Sequence, residues 1–88
     1  MYKVIDFYAD WCAPCKIMSP LFHKVAEEYA DKASFESVNV EENGALASQF
    51  QVMSIPTFVI LKDGQEIARR LGAMPEEVFK SWLDEYLK

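Results

Sequence analysis

Cysteine occurs only twice in this 88-residue chain, at Cys12 and Cys15, and both fall in the stretch DFYADWCAPCK, Asp6 to Lys16. The spacing lets two sulfurs meet across a single helical turn. Such a pair can exchange with a disulfide, supply half of a zinc site, or lie inert in a core. Zinc normally takes four protein ligands, or three and a water. The one histidine, His23, lies two helical turns further on. A strand-like run before the pair and a helical pattern after it favour redox chemistry. Cys12 falls at or just before the helix start, where unpaired N–H groups and the positive end of the helix dipole favour a thiolate. It is therefore expected to be the more exposed, attacking thiol. Cys15, one turn in and turned toward the sheet, is placed to resolve a mixed disulfide.

A third group joins them. Asp6 stands in the middle of the most apolar run and shares a strand face with Val4 and Tyr8. Burying an unpaired carboxylate is costly, so it must find a partner or hold its proton to higher pH. A structural aspartate satisfied by nearby donors is one reading. The sharper one is a base that takes the Cys15 proton, through water, as Cys15 resolves the mixed disulfide. The two titrations would then be coupled.

Several elements must hold these groups in place. YKVIDFYA, Tyr2 to Ala9, is short, apolar and rich in strand formers. Pro14 suits a first helical turn, and Met18, Leu21, Phe22, Val25 and Tyr29 recur at helical spacing. Pro20 falls inside that helix, and a kink is expected there. ASFESVNVEE, with Phe35, Val38 and Val40, suggests a second strand, and NGALASQFQV a short helix. PTFVILKDGQEIARRLG forms a hairpin turning at Lys62-Asp63-Gly64. MPEEVFKSWLDEYLK closes as an amphipathic helix, with Pro75 near its first position, Glu76 and Glu77 in its first turn, and an apolar stripe of Val78, Phe79, Trp82, Leu83, Tyr86 and Leu87. The order β-α-β-α-β-β-α gives an α/β fold: a four-stranded mixed sheet in the order second, first, third, fourth, with helices on both faces.

Composition narrows the classes. The chain is sized for one domain, residues 1–88, with 51% hydrophobic and 26% charged residues. A net charge of −5 without a basic cluster argues against nucleic acid. No apolar run approaches a membrane span. The N-terminus goes straight into a strand pattern without signal-peptide anatomy, so a cytoplasmic location is expected.

Together VIDFYADWCAPCK, SIPTFVILKDGQ and RLGAMPEEVFKSWL resemble the thioredoxin family, in the same order and at similar spacing over essentially the whole chain. Trp-Cys-x-Pro-Cys with a distant Ile-Pro-Thr is a specific combination. The resemblance implies a thioredoxin-like fold and a protein-disulfide reductase, with Cys12 attacking, Cys15 resolving and Asp6 moving the proton. It implies that Pro56 is the family's cis-proline, exposing the Ile55 backbone to a substrate strand. Gly72 and Ala73 would match the loop at the same rim. Trp11, Ala13, Pro14, Ile55, Pro56, Gly72, Ala73 and Met74 would form the docking surface; Met74 could equally be core. The implied partners are protein disulfides and a thioredoxin-reductase-like enzyme, NADPH-linked and flavin-dependent, which would place the chain in electron transport and cell redox homeostasis. No cofactor beyond the Cys12–Cys15 disulfide, no metal, no membrane and a monomeric state are expected.

The chain also departs from the family pattern. Ser37 stands where many members carry a lysine that meets the strand aspartate, which should raise the Asp6 pKa further. Ala13 replaces a common glycine, and Tyr8 a frequent tryptophan. The family's usual first strand and helix have no counterpart before Met1, so residues 34–40 should form an open sheet edge. Glu36, Glu41 and Glu42 would blunt that edge, and pairing of two chains along it is a minor alternative. The competing functions are a glutaredoxin-like or oxidase- or isomerase-like exchange protein, a thioredoxin-fold docking module with an idle dithiol, and a metal or cluster site shared by two chains. No glutathione site is evident, and Trp11 speaks against the glutaredoxin version.

Overall fold

A computed structural model describes residues 1–88. Its elements are β1 (Tyr2–Tyr8), α1 (Ala13–Glu28), β2 (Ala33–Asn39), α2 (Gly44–Gln49), β3 (Thr57–Lys62), β4 (Gln65–Leu71) and α3 (Glu76–Tyr86). The sheet order is β2-β1-β3-β4, with β1 and β2 parallel and the other pairs antiparallel. Both the element order and the strand order match the sequence reading.

Alternation along β1 divides its side chains between two helical layers. Val4 faces α1 and α3, where it meets Met18, Phe22, Phe58, Phe79 and Leu83, all essentially without exposure. Ring centroids of Phe22, Phe58 and Phe79 lie 5.1 to 6.2 Å apart. Ile5 and Phe7 face the other way, toward Val38, Val59 and Ala47 of α2. Helices thus cover both faces. Ion pairs Lys24–Glu76 and Lys80–Glu28, with the Tyr29 hydroxyl donating to Asp84, fasten α1 to α3.

Local chemistry sets the boundaries. Asp63 and Gly64 both have positive φ, 51° and 85°, the backbone that a two-residue hairpin turn requires. The β2 strand stops at Asn39 instead of continuing toward Glu42, because the Asn39 side-chain oxygen accepts the N–H groups of Glu41 and Glu42 and turns the chain. Of the three glutamates expected along the open edge, only Glu36 lies on the strand. Helix α1 continues through Pro20. Pro75 is the residue before α3, not within it, and Val78 is 37% exposed, outside the buried stripe of Phe79, Trp82 and Leu83. No helix is long and apolar enough to cross a membrane.

Candidate active site

The chain leaves β1 at Tyr8 and turns at once, with the Cys12 N–H donating to the Ala9 carbonyl at 3.2 Å. Cys12 is the N-cap of α1, in extended conformation (φ −88°, ψ 110°). Its Sγ accepts the Cys15 N–H at 3.2 Å, the bond that a serine or aspartate oxygen makes at an ordinary helix start. A disulfide joins Cys12 and Cys15, whose Cα atoms are 5.2 Å apart. That donor and the positive end of the helix dipole both favour negative charge on Cys12 once the bond is reduced. The expected difference in exposure is almost absent: Cys12 keeps 5% and Cys15 3%. Ala9, Tyr8, Val40 and Ile55 enclose the pair. The asymmetry lies in the N-cap position, not in accessibility.

The rim comes from two further loops. The Ile55–Pro56 peptide bond is cis, and the Ile55 carbonyl oxygen lies 3.8 Å from Cys12 Sγ. The Thr57 hydroxyl, itself buried, donates to the Ser54 carbonyl at 2.6 Å and closes this loop over β3. Gly72, at φ 89°, donates its N–H to the Pro56 carbonyl at 2.9 Å, so the two loops are tied together. Trp11, Ala13, Pro14 and Ala73 are exposed, and Ile55 is half-buried. Pro56 is wholly buried, so it shapes the rim from beneath without offering surface. Met74 is half-buried against the α1–α3 core, its N–H donating to Met18 Sδ at 3.3 Å. Trp11, Val40, Val52, Met53, Ser54 and Ile55 line an apolar groove of about 190 Å³ beside the dithiol. The largest hollow, about 790 Å³, runs along α2 to Arg69, away from both cysteines; the Arg69 guanidinium there already binds Glu66 and the Phe50 carbonyl.

Asp6 pairs across the sheet with Ser37 on one side and Phe58 on the other. It is 2% exposed, and its Oδ1 has no hydrogen-bond partner. Burial alone pushes its carboxyl up from 3.8 to about 7. Ser37 occupies the same register on the same face, as expected from the sequence, and brings no cation to oppose that rise. No three His, Cys, Asp or Glu side chains are gathered to hold a metal ion.

The thioredoxin family model matches residues 2–85. The chain belongs to the thioredoxin family. Thioredoxin 1 of Synechococcus elongatus is 39% identical over 84 residues, covering 96% of this chain and 78% of the relative. Thioredoxin of Staphylococcus haemolyticus is 40% identical over 85 residues, 97% of this chain and 82% of the relative. In structure, a mutant thioredoxin from Halobacterium salinarum, with glutamine in place of one asparagine, superposes with a TM-score of 0.90 at 34% identity, over 99% of this chain and 75% of that one. The chain is thus a thiol–disulfide oxidoreductase that reduces protein disulfides, working through the Cys12–Cys15 disulfide itself with no further cofactor. Members of the thioredoxin family act on protein disulfides and are recycled by thioredoxin reductase.

Glu41, expected only to blunt the sheet edge, has a carboxylate that accepts the Trp11 indole N–H at 3.0 Å and holds the ring at the rim. The two are 30 residues apart, and no local pattern joins them. The sequence reading passed over Met53, for which an apolar residue beside the Ile-Pro-Thr segment was the available signal.

Proposed function

We propose that Cys12 attacks and Cys15 resolves. The Cys12 thiolate displaces one sulfur of a substrate disulfide, forming a mixed disulfide and releasing the first substrate thiolate. Cys15 then gives up its proton and attacks Cys12 Sγ, releasing the second. The substrate gains two electrons, and the Cys12–Cys15 disulfide remains. The carrying observation is the N-cap geometry, in which Cys12 Sγ accepts the Cys15 N–H at 3.2 Å. Asp6 lies on the sheet face that α1 covers. With its carboxyl raised to about 7, it is near the acidity suited to taking the Cys15 proton through water and returning it.

The docking surface is the rim of Trp11, Ala13, Pro14, Ile55, Gly72 and Ala73, with the exposed part of Met74, shaped beneath by Pro56. A substrate segment lies across it and pairs with the Ile55 backbone. The chain acts as one unit over residues 1–88, as a cytoplasmic monomer in electron transport, recycled by an NADPH-linked flavin reductase. The test is trapping. With a protein disulfide, a Cys15→Ser variant should accumulate a covalent adduct on Cys12, seen by non-reducing electrophoresis and peptide mass spectrometry. A Cys12→Ser variant should accumulate none; an adduct on Cys15 in that variant would reverse the assignment.

A further inference from the structure

We propose that Met53 is an oxidation site, whose thioether is converted to the sulfoxide by a hydroperoxide, and that the product weakens docking of protein disulfides. This rests on the docking surface proposed above. The step is an oxygen transfer. The O–O bond of hydrogen peroxide breaks, one oxygen bonds to Met53 Sδ, the sulfur is oxidised by two electrons and the peroxide leaves as water. Neither cysteine takes part.

The four methionines are placed very differently. Met53 is 95% exposed, the most open of the large apolar side chains. Met18 is wholly buried, and Met74 is packed against the core. Met1 is also open, but its ammonium is paired with Asp63 in the β3–β4 turn. That places it at the far end of β1 from the dithiol, roughly 20 Å of strand away. Met53 is therefore the only methionine both open to solvent and at the site. It shares the apolar groove with Trp11, two residues before Ile55, whose carbonyl lies 3.8 Å from Cys12 Sγ. A chain delivering its disulfide to Cys12 crosses this wall. A flexible, polarisable thioether can fit many such chains. The sulfoxide is polar, and covering it without a partner for its oxygen costs binding.

The experiment starts from the disulfide form, so that no free thiol consumes peroxide. The protein is treated with hydrogen peroxide, the excess is destroyed with catalase, and peptide mass spectrometry locates the added oxygen. Dithiothreitol then reduces the Cys12–Cys15 disulfide and leaves the sulfoxide. KM is measured with insulin, and the rate with hydroxyethyl disulfide, a substrate too small to span the groove. Met53 should oxidise before Met74 and Met18. The KM for insulin should rise about fivefold while the small-disulfide rate stays the same. A Met53→Leu variant, compared with its own untreated form, should lose the response, and methionine sulfoxide reductase should reverse it in the unsubstituted protein. Slower oxidation of Met53 than of Met74, or an unchanged insulin KM at complete Met53 sulfoxide, would overturn the inference. A Trp11→Ala variant locates the failure. If it raises the insulin KM while the sulfoxide does not, docking stands and the oxidation effect falls. If it leaves the KM unchanged, the docking surface fails and the inference with it.

Discussion

Replacing Asp6 by asparagine should stabilise the protein more the higher the pH. In the unfolded chain this carboxyl ionises near 3.8, and in the fold near 7, because burial strips it of water and no cation faces it. Between those values the native protein keeps a proton that the unfolded chain has released. Stability therefore falls as pH rises through this window, by about 1.4 kcal/mol per pH unit, and the cost is complete above about pH 7. A window of roughly 3 pH units amounts to about 4 kcal/mol. The Asp6→Asn protein has no such dependence. The unmet hydrogen-bonding capacity of the amide adds a cost, but it is the same at every pH. The variant's stability relative to the unsubstituted protein should thus rise by about 3 kcal/mol between about pH 4.5 and about pH 8.5. The assay is equilibrium urea unfolding of the disulfide form at both pH values, which keeps thiol titration out of the comparison. A difference that does not change with pH would refute the claim that a buried, unpaired carboxylate is being carried at a cost.

Other substitutions probe the surroundings of Asp6, the aromatic core and the end of β2. Ser37→Lys places a cation across the register from Asp6 and should lower the carboxyl's pH midpoint by about one unit or more, read by carbon-detected NMR titration of the disulfide form; an unmoved midpoint would show that residue 37 does not control Asp6. Phe79→Ala opens the aromatic cluster between Phe22, Phe58 and Trp82 and should cost about 3–5 kcal/mol in denaturant unfolding. Asn39→Ala removes the acceptor that turns the chain after β2 and should cost about 1 kcal/mol, with faster amide exchange at Glu41 and Glu42.

Most of the fold was legible because its signals are local. Pro14 after a strand-like run marks the start of α1, Asp63-Gly64 marks the hairpin, and the apolar density of β1 and β3 marks central strands buried on both faces. The parallel crossover then leaves β2 only the outer place beside β1. The Cys12–Cys15 disulfide and the burial of Asp6 were legible for the same reason: one follows from the spacing of two residues, the other from apolar neighbours in a single strand. What the sequence hid depends on distant partners. The bond from Glu41 to Trp11, the 95% exposure of Met53 and the burial of Pro56 beneath its own loop are set by how the rim loops close. The near-equal burial of the two cysteines follows from Ile55 and Val40 closing over them, and neither is near them in the chain. Asn39 shows a smaller failure, where one side-chain acceptor overrode the strand pattern continuing through Val40.

Whether Cys12 and Cys15 serve as a reductant of protein disulfides is decided by the reduction potential of the pair, measured by equilibrating the protein with a thiol couple of known potential and quantifying both forms. A reductant role requires a potential near about −270 mV, the value characteristic of thioredoxin. A potential between about −180 and −120 mV, the range of disulfide isomerases and oxidases, would contradict it and make this dithiol a donor of disulfides.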